Sequence, residues 1–211
     1  MTPTLHIRRL GLVPYEATWH AMRDQTLARA GDAAASATDE LWLLEHPPIF
    51  TQGQAGKPEH LLKDIGVPVV PIDRGGQITY HGPGQVVIYL LIDLQRRQIK
   101  VRELVRKIEQ AVIDLLAEYG LNAERREGAP GVYVGEAKVA ALGLRIRNGC
   151  SYHGLSLNVD MDLDPFAAIN PCGYAGMAVT QLRDLGVNVS LSEAGEALLS
   201  QLQKQLEMSH G

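Results

Sequence analysis

Arg74-Gly75-Gly76-Gln77-Ile78-Thr79-Tyr80-His81-Gly82-Pro83-Gly84-Gln85 lies between two short runs rich in Val and Ile, Val67–Ile72 and Val86–Leu94. Both runs read as strands. The stretch between them packs four glycines among side chains able to hydrogen-bond. Glycine permits positive φ and lets a ligand approach the backbone. A plain hairpin turn would explain the glycines, but turns seldom need Arg, Thr, Tyr, His and Gln together. A glycine-rich loop or strand pair held by a rigid sheet is the commoner layout of a binding site.

Upstream, Leu5–Leu10 reads as a strand and Pro14–Ala30 as a helix, with Pro14 in its first turn and Gly31 at its end. Trp19, Met22, Thr26 and Leu27 recur at helical spacing. Ala33–Thr38 reads as a loop, Leu41–Leu44 as a strand stopped by Pro47 and Pro48, and Gln52–His60 as a loop with a short helix near Pro58–Leu62. Downstream, Leu104, Val105, Ile108, Val112, Leu115, Leu116 and Tyr119 form one apolar stripe, which predicts a helix over Val101–Tyr119 capped by Gly120. Its other face, with Arg96, Arg97, Lys100, Arg102, Arg106 and Lys107, reads as solvated surface or as a docking patch for an acidic partner. Gly131–Val134, Lys138–Ile146 and Cys150–Val159 read as strands, the last two joined by a turn at Arg147-Asn148-Gly149, in which Asn-Gly is a strong hairpin signal. Asp164–Ala168 reads as a helical turn, Gly173–Gly176 as loop, Val179–Leu185 as a short helix and Ser190–Glu207 as a final helix opened by a Ser190–Glu193 capping box. Without a steady βαβ rhythm, the fold class is α+β, mixed β-sheets with flanking helices.

The bulk numbers narrow the function. At 211 residues and 45% hydrophobic content the chain suits one domain with a continuous core. A net charge of -4 argues against a global grip on nucleic acid. No signal-peptide core is seen at the N-terminus and no apolar run approaches the ~20 residues that span a bilayer, so no membrane role and a cytoplasmic location are expected. Two cysteines, Cys150 and Cys172, give no disulfide framework.

Gly82–Val87 lacks the third glycine of a dinucleotide fingerprint, and Gly53–Pro58 has neither the spacing nor the Ser/Thr of a P-loop. Cys150 and His153 form no second pair that would complete a metal site, so no metal is expected. Cys150 falls inside a strand pattern and reads as a small buried residue. Cys172, in Asn170-Pro171-Cys172-Gly173, sits in a loop sequence suited to presenting a thiol; the alternative is a structural loop cysteine. Lys138 begins an otherwise apolar strand, an odd place for a solvated charge. Beside a thiol it could hold a thiolate or, desolvated, shuttle a proton. His81, His153 and His46 compete with it as bases, and spacing does not choose among them.

Arg74–Gln85 (RGGQITYHGPGQ), Lys138–Gly143 (KVAALG), Gly149–Asn158 (GCSYHGLSLN) and Asn170–Gly176 (NPCGYAG), in this order, resemble the octanoyltransferases of lipoate biosynthesis. The resemblance runs over roughly Asp39 to Leu185. Gln77 departs from it, since an acidic residue is common there. The resemblance implies the catalytic fold of biotin and lipoate protein ligases, over residues 39–211 of a single 1–211 acyltransferase domain with the N-terminal strand and helix packed on it. It implies transfer of octanoyl from acyl carrier protein to a lysine of a lipoyl domain, on 2-oxoacid dehydrogenase E2 subunits and the glycine cleavage H protein, with no cofactor. It implies Cys172 as nucleophile and Lys138 as the residue that tunes it. It implies substrate contacts at Arg74, Gly75, Gly76, Gln77, Ile78, Thr79, Tyr80 and His81, at Ala141, Leu142 and Gly143, and at His153, Gly154, Leu155 and Ser156. Backbone N–H groups of Gly75-Gly76 or Leu142-Gly143 are candidate oxyanion donors, and Leu142, Leu144, Val86 and Tyr80 candidate walls for the acyl chain. An ATP-dependent lipoate or biotin ligase, or a non-catalytic acyl-binding module, would share the fold without using Cys172.

Overall fold

The computed structural model describes residues 4–29, 38–170 and 178–208. β1 (Thr4–Leu12) and α1 (Tyr15–Ala28) open the chain, followed by β2 (Thr38–Glu45), β3 (Ile49–Gln52), β4 (Val69–Pro71), β5 (Ile78–His81) and β6 (Gln85–Leu91). Then come α2 (Val101–Glu118), β7 (Glu124–Arg126), β8 (Ala129–Val134), β9 (Ala137–Arg147), β10 (Cys150–Asn158) and α3 (Leu191–Glu207). The strands make a seven-stranded sheet, ordered β1-β2-β6-β10-β9-β8-β7, and a three-stranded sheet, β4-β3-β5. Among the described strands, β1–β2 and β3–β4 pair in parallel and the others antiparallel, so the class is α+β with mixed sheets.

β6 explains the layering. All seven of its residues are buried, as expected of a continuous apolar run covered on both faces. Val86, Ile88 and Leu90 join Leu104, Ile108 and Leu115 of α2 and Leu198 and Leu202 of α3 in one core. Val87, Tyr89 and Leu91 point the other way, onto Tyr15 and Met22 of α1. The side-chain period of two thus builds two cores from one strand. A third cluster, around Phe50, Ile78 and Tyr80, underlies the small sheet. Among the described residues no helix is long and apolar enough to cross a membrane.

Several readings are corrected. The two runs flanking Arg74–Gln85 do not pair: β4 lies in the small sheet and β6 in the large one, while β5 pairs with β3. The expected helix at Val179–Leu185 shrinks to a 3-10 turn at Arg183–Leu185, because Val179 bridges to Lys138 instead. On α1, Leu27 faces solvent and Tyr15, Thr18, Met22 and Thr26 form the buried face. The expected ends at Gly31 and in Ala33–Thr38 fall, apart from Thr38 in β2, outside the described residues. The turn after β9 is as expected: Asn148 and Gly149 both have positive φ, 51° and 78°, the requirement of a two-residue hairpin loop. The Ser190–Glu193 capping box is present.

The basic face of α2 is not uniformly solvated. Lys107 is buried and its ammonium donates to the carbonyls of Gln205, at 2.7 Å, and Met208, at 2.9 Å, at the C-terminal end of α3. Arg97 donates to the Leu206 carbonyl and, with Arg96, to the fully buried carboxylate of Asp39. Cations placed on the last carbonyls of α3 answer its orphaned acceptors and its negative dipole end. Asp39 also accepts the Asp93 N–H. Among the described residues, removing Asp39 would leave Arg97 with only the Leu206 carbonyl and Arg96 with only Asp93 at 3.9 Å, so Asp39→Ala is expected to lower the unfolding free energy by about 3 kcal/mol, read as a fall in the urea midpoint. An unchanged midpoint would show that the two arginines find other acceptors.

Candidate functional site

The glycine-rich loop is fastened on both sides. Gly53, Gln54 and Ala55 donate their N–H groups to the carbonyls of Gln77, Arg74 and Gly76. Gly75 donates to the Leu144 carbonyl at 3.0 Å, stitching the loop to the edge of β9 beyond the end of its pairing with β8. The Arg74 side chain turns inward and is buried. One guanidinium nitrogen donates to the Thr51 carbonyl at 2.7 Å and to its hydroxyl at 2.9 Å, the other to the Gly75 carbonyl at 2.9 Å. These acceptors are uncharged, so Arg74 carries an unneutralised positive charge. Burial lowers its pKa, yet an arginine remains charged.

Two adjoining cavities open against this loop. The larger, of about 420 Å³, is mostly apolar and is bordered by Arg74–Thr79, Lys138, Ala140–Leu144, Ser156 and Asn158, with Val101 and Val105 of α2 and Phe166 on other walls. Its volume is in the range of sites for small organic groups. The smaller, of about 60 Å³, adds Tyr15, His81, Tyr89 and His153–Leu155 and shares Arg74, Thr79, Ala141–Gly143 and Ser156 with the first.

Lys138 sits near the start of β9. Its N–H donates to Ala178 at 2.8 Å, and its carbonyl accepts from Thr180 at 2.9 Å. Its ammonium donates to the Pro130 carbonyl at 3.2 Å and lies 5.2 Å from the centre of the Tyr133 ring. Gly131 makes room for it: φ is 140°, and a Cβ there would lie 2.7 Å from the Ala140 carbonyl and 3.0 Å from Lys138 Cε. Gly154 is equally constrained, since a Cβ would lie 2.0 Å from the Ile88 carbonyl.

Behind the smaller cavity lies a polar cluster of buried histidines and the half-buried Asp73. Asp73 accepts from Trp19 Nε1 at 3.0 Å, from the Tyr152 hydroxyl and from His153 Nε2 at 3.2 Å. These bonds outweigh the opposing effect of burial and hold the Asp73 carboxyl below its usual range. His46 donates from Nδ1 to the Val13 carbonyl and accepts at Nε2 from Tyr89, both at 2.7 Å. His81 Nδ1 donates to Gln85 Oε1 at 2.8 Å. Burial pushes His46 down to about 4 and, helped by the neighbouring His46, pushes His81 down to about 3. Burial also lowers His153 against the raising influence of Asp73. The imidazoles are therefore neutral at pH 7.

A family model described as "Lipoyl protein ligase A/B catalytic domain" matches residues 17–203. The chain belongs to that family, among its octanoyltransferases, which are acyltransferases. It is 66% identical to the "Octanoyltransferase" of Dechloromonas aromatica, over 97% of this chain and 98% of that protein. It is 64% identical to the "Octanoyltransferase" of Aromatoleum aromaticum, over 97% of this chain and 87% of that protein. Among solved structures it is similar to a lipoate-protein ligase A bound with ATP, with TM-score 0.73 and 19% identity, covering all of this chain and 88% of that one. It is also similar to a biotin protein ligase from Aquifex aeolicus in complex with biotin and ATP, with TM-score 0.53 and 11% identity, over 97% of this chain and 70% of that one. These two likenesses show the fold alone.

Within this octanoyltransferase fold, Lys138, Arg74, Gly75, Gly76, Gln77, Ile78, Thr79, Ala141, Leu142, Gly143 and Ser156 border the larger cavity. His81, His153, Gly154 and Leu155 border the smaller. Tyr80 borders neither; it alternates away from Thr79 and His81 and packs on Phe50 and Phe166. Val86 likewise lies in the α2–α3 core rather than on an acyl wall. The Gly75 N–H is spent on Leu144, so it is not an available oxyanion donor. Cys172 lies outside the described residues. Cys150 is buried, as expected of a strand residue. Sequence reading missed Asp73, Thr51, Tyr15 and the Val101–Val105 wall. Asp73, next to Arg74 at a strand end, offered a signal by position; the others needed the fold.

His46 and His81, held down to about 4 and about 3, each bind a proton near pH 6.5 when unfolded but not when folded. Below pH 6.5 the unfolded chain therefore holds more protons, and stability falls as pH falls. The urea-derived unfolding free energy is expected to drop between pH 6.5 and 4.5, by up to about 1.4 kcal/mol per pH unit for each histidine. His81→Gln should flatten that slope by roughly one histidine's share. A slope unchanged in this variant would mean that His81 is charged in the folded state or neutral in both.

Proposed function

We propose that this chain transfers octanoyl from the phosphopantetheine thioester of acyl carrier protein to the target lysine of lipoyl domains, through a thioester on Cys172. The observation that carries the reading is the setting of Lys138. Among the described residues Lys138 is the one lysine bordering a mostly apolar cavity of about 420 Å³, and its backbone is hydrogen-bonded to Ala178 and Thr180, a few residues after Cys172 in sequence. The names of the relatives at 66% and 64% identity support the same chemistry.

In the first step Lys138, as the free amine, takes the thiol proton, and the Cys172 thiolate attacks the octanoyl carbonyl. A C–S bond forms, and the C–S bond to pantetheine breaks. Lys138 returns the proton to the departing pantetheine sulfur. In the second step the acceptor lysine amine attacks the acyl-cysteine, Lys138 takes the amine proton, and the cysteine sulfur leaves as an amide forms. Thioester exchange is nearly balanced in free energy and aminolysis is downhill, so the sequence of steps needs neither ATP nor another cofactor.

The oxyanion donor is assigned to the Leu142 N–H. Leu144 directs its carbonyl to Gly75 on the free edge of β9. Backbone groups two residues apart on a strand share an edge, so the Leu142 N–H points the same way, at the cavity Leu142 itself borders. The buried positive charge of Arg74 adds a field favouring negative charge there.

Incubation with octanoyl-acyl carrier protein, without ATP, is expected to yield an octanoyl adduct by intact mass, absent in Cys172→Ser. Transfer that requires ATP would instead place the chain with the ligases, and binding with neither adduct nor transfer would make it an acyl-binding module. Lys138→Ala is expected to slow transfer by about 10²–10⁴-fold and to slow alkylation of Cys172, with the thermal midpoint little changed. Unaltered transfer and alkylation would remove Lys138 from the mechanism.

A further inference from the structure

The outward part of the α2 basic face is not used in holding the fold together. Lys100, Arg102 and Arg106 are exposed and, with the buried Lys107 and with Arg125 of β7, they border a groove of about 620 Å³ in which Glu103 is the sole acid among the described residues. Arg125 is anchored by Glu109 at 3.3 Å and by Gln110 at 2.8 Å, with its side chain 40% exposed. This local excess of positive charge stands on a chain whose net charge is -4. A basic patch on an acidic molecule orients an acidic partner instead of attracting it everywhere.

Its place relative to the cavity is what gives it a use. Val101 and Val105, one helical turn apart, form a wall of the larger cavity, and Lys100, Arg102 and Arg106 flank them on the same two turns of α2. Val101 is 43% exposed although it borders the cavity, so the cavity meets solvent beside Lys100 and Arg102. The β7–β8 hairpin repeats the arrangement, giving Gly128, Ala129 and Pro130 to the cavity and Arg125 to the groove. Two elements thus present apolar or backbone atoms to the acyl site and cations to the adjacent surface.

We propose that Lys100, Arg102, Arg106 and Arg125 form the docking surface for the acidic carrier protein that delivers the acyl thioester, seating it so that its acyl-bearing arm enters beside Val101. This rests on the carrier-protein donor proposed above. The test compares the native chain with Arg102→Glu/Arg106→Glu, using octanoyl-acyl carrier protein and octanoyl-pantetheine as donors. At low ionic strength the variant is expected to raise the apparent KM for the carrier-borne donor about tenfold or more. The difference should shrink as salt screens it, with the KM for octanoyl-pantetheine unchanged. An unchanged KM for the carrier-borne donor would overturn the docking surface, as would equal impairment with both donors, which would mean damage to the site itself. If the native chain uses octanoyl-pantetheine but not the carrier-borne donor, the donor assignment falls, and the docking proposal with it; that failure shows in the native chain before any variant is made.

Discussion

A buried guanidinium holds the site together. Arg74 reaches across to Thr51 of β3 and back to its own loop at Gly75, and the next N–H along binds β9. The small sheet, the glycine-rich loop and the free edge of the large sheet therefore meet at one charged side chain. Burying a cation without a carboxylate is costly. The cost is offset by carbonyl and hydroxyl dipoles aimed at the guanidinium, and the residual positive charge lies at the border of both cavities.

Charge is used in three separate ways within a short stretch of chain. Arg96 and Arg97 neutralise the buried Asp39, and Arg97 and Lys107 also terminate α3. Lys100, Arg102 and Arg106 remain at the surface. The six residues look alike in sequence, but Arg96, Arg97 and Lys100 precede α2, and within α2 the roles of Arg102, Arg106 and Lys107 diverge because a helix turns about 100° per residue and sends neighbours to different surroundings. Lys107 shows this well. It sits between Arg106, which is exposed, and Ile108, which is in the core, and its stem carries its ammonium to the end of another helix.

What was legible in the sequence was local. The α2 stripe, the Asn148-Gly149 turn and the Ser190–Glu193 box each depend on residues a few positions apart, and each formed as read. β3 and β7, of four and three residues, are too short to show a period. Strand partnership was not legible either: the runs flanking the glycine-rich loop both looked like strands, yet they entered different sheets, because pairing is decided by long-range packing. The site was legible as composition, in its glycines and its lone lysine, but not as geometry. Nothing local told that Tyr80 would turn away while Thr79 and His81 turned in, or that Asp73 would gather Trp19, Tyr152 and His153 around one carboxylate.

Two glycines pressed against neighbouring strands, β6 and β9, set limits on how the cavities can be refashioned. Gly154 on β10 leaves no room for even a methyl group against Ile88, and Gly131 on β8 leaves none against Ala140 and Lys138. The sheet side of the cavities is therefore rigid ground. Val101, Val105 and Phe166 border the same space from a helix and a 3-10 turn, where side-chain volume can change without moving a strand. Selection for a longer or bulkier occupant of that cavity, whether in the laboratory or by drift among descendants of this chain, has its freedom on those walls.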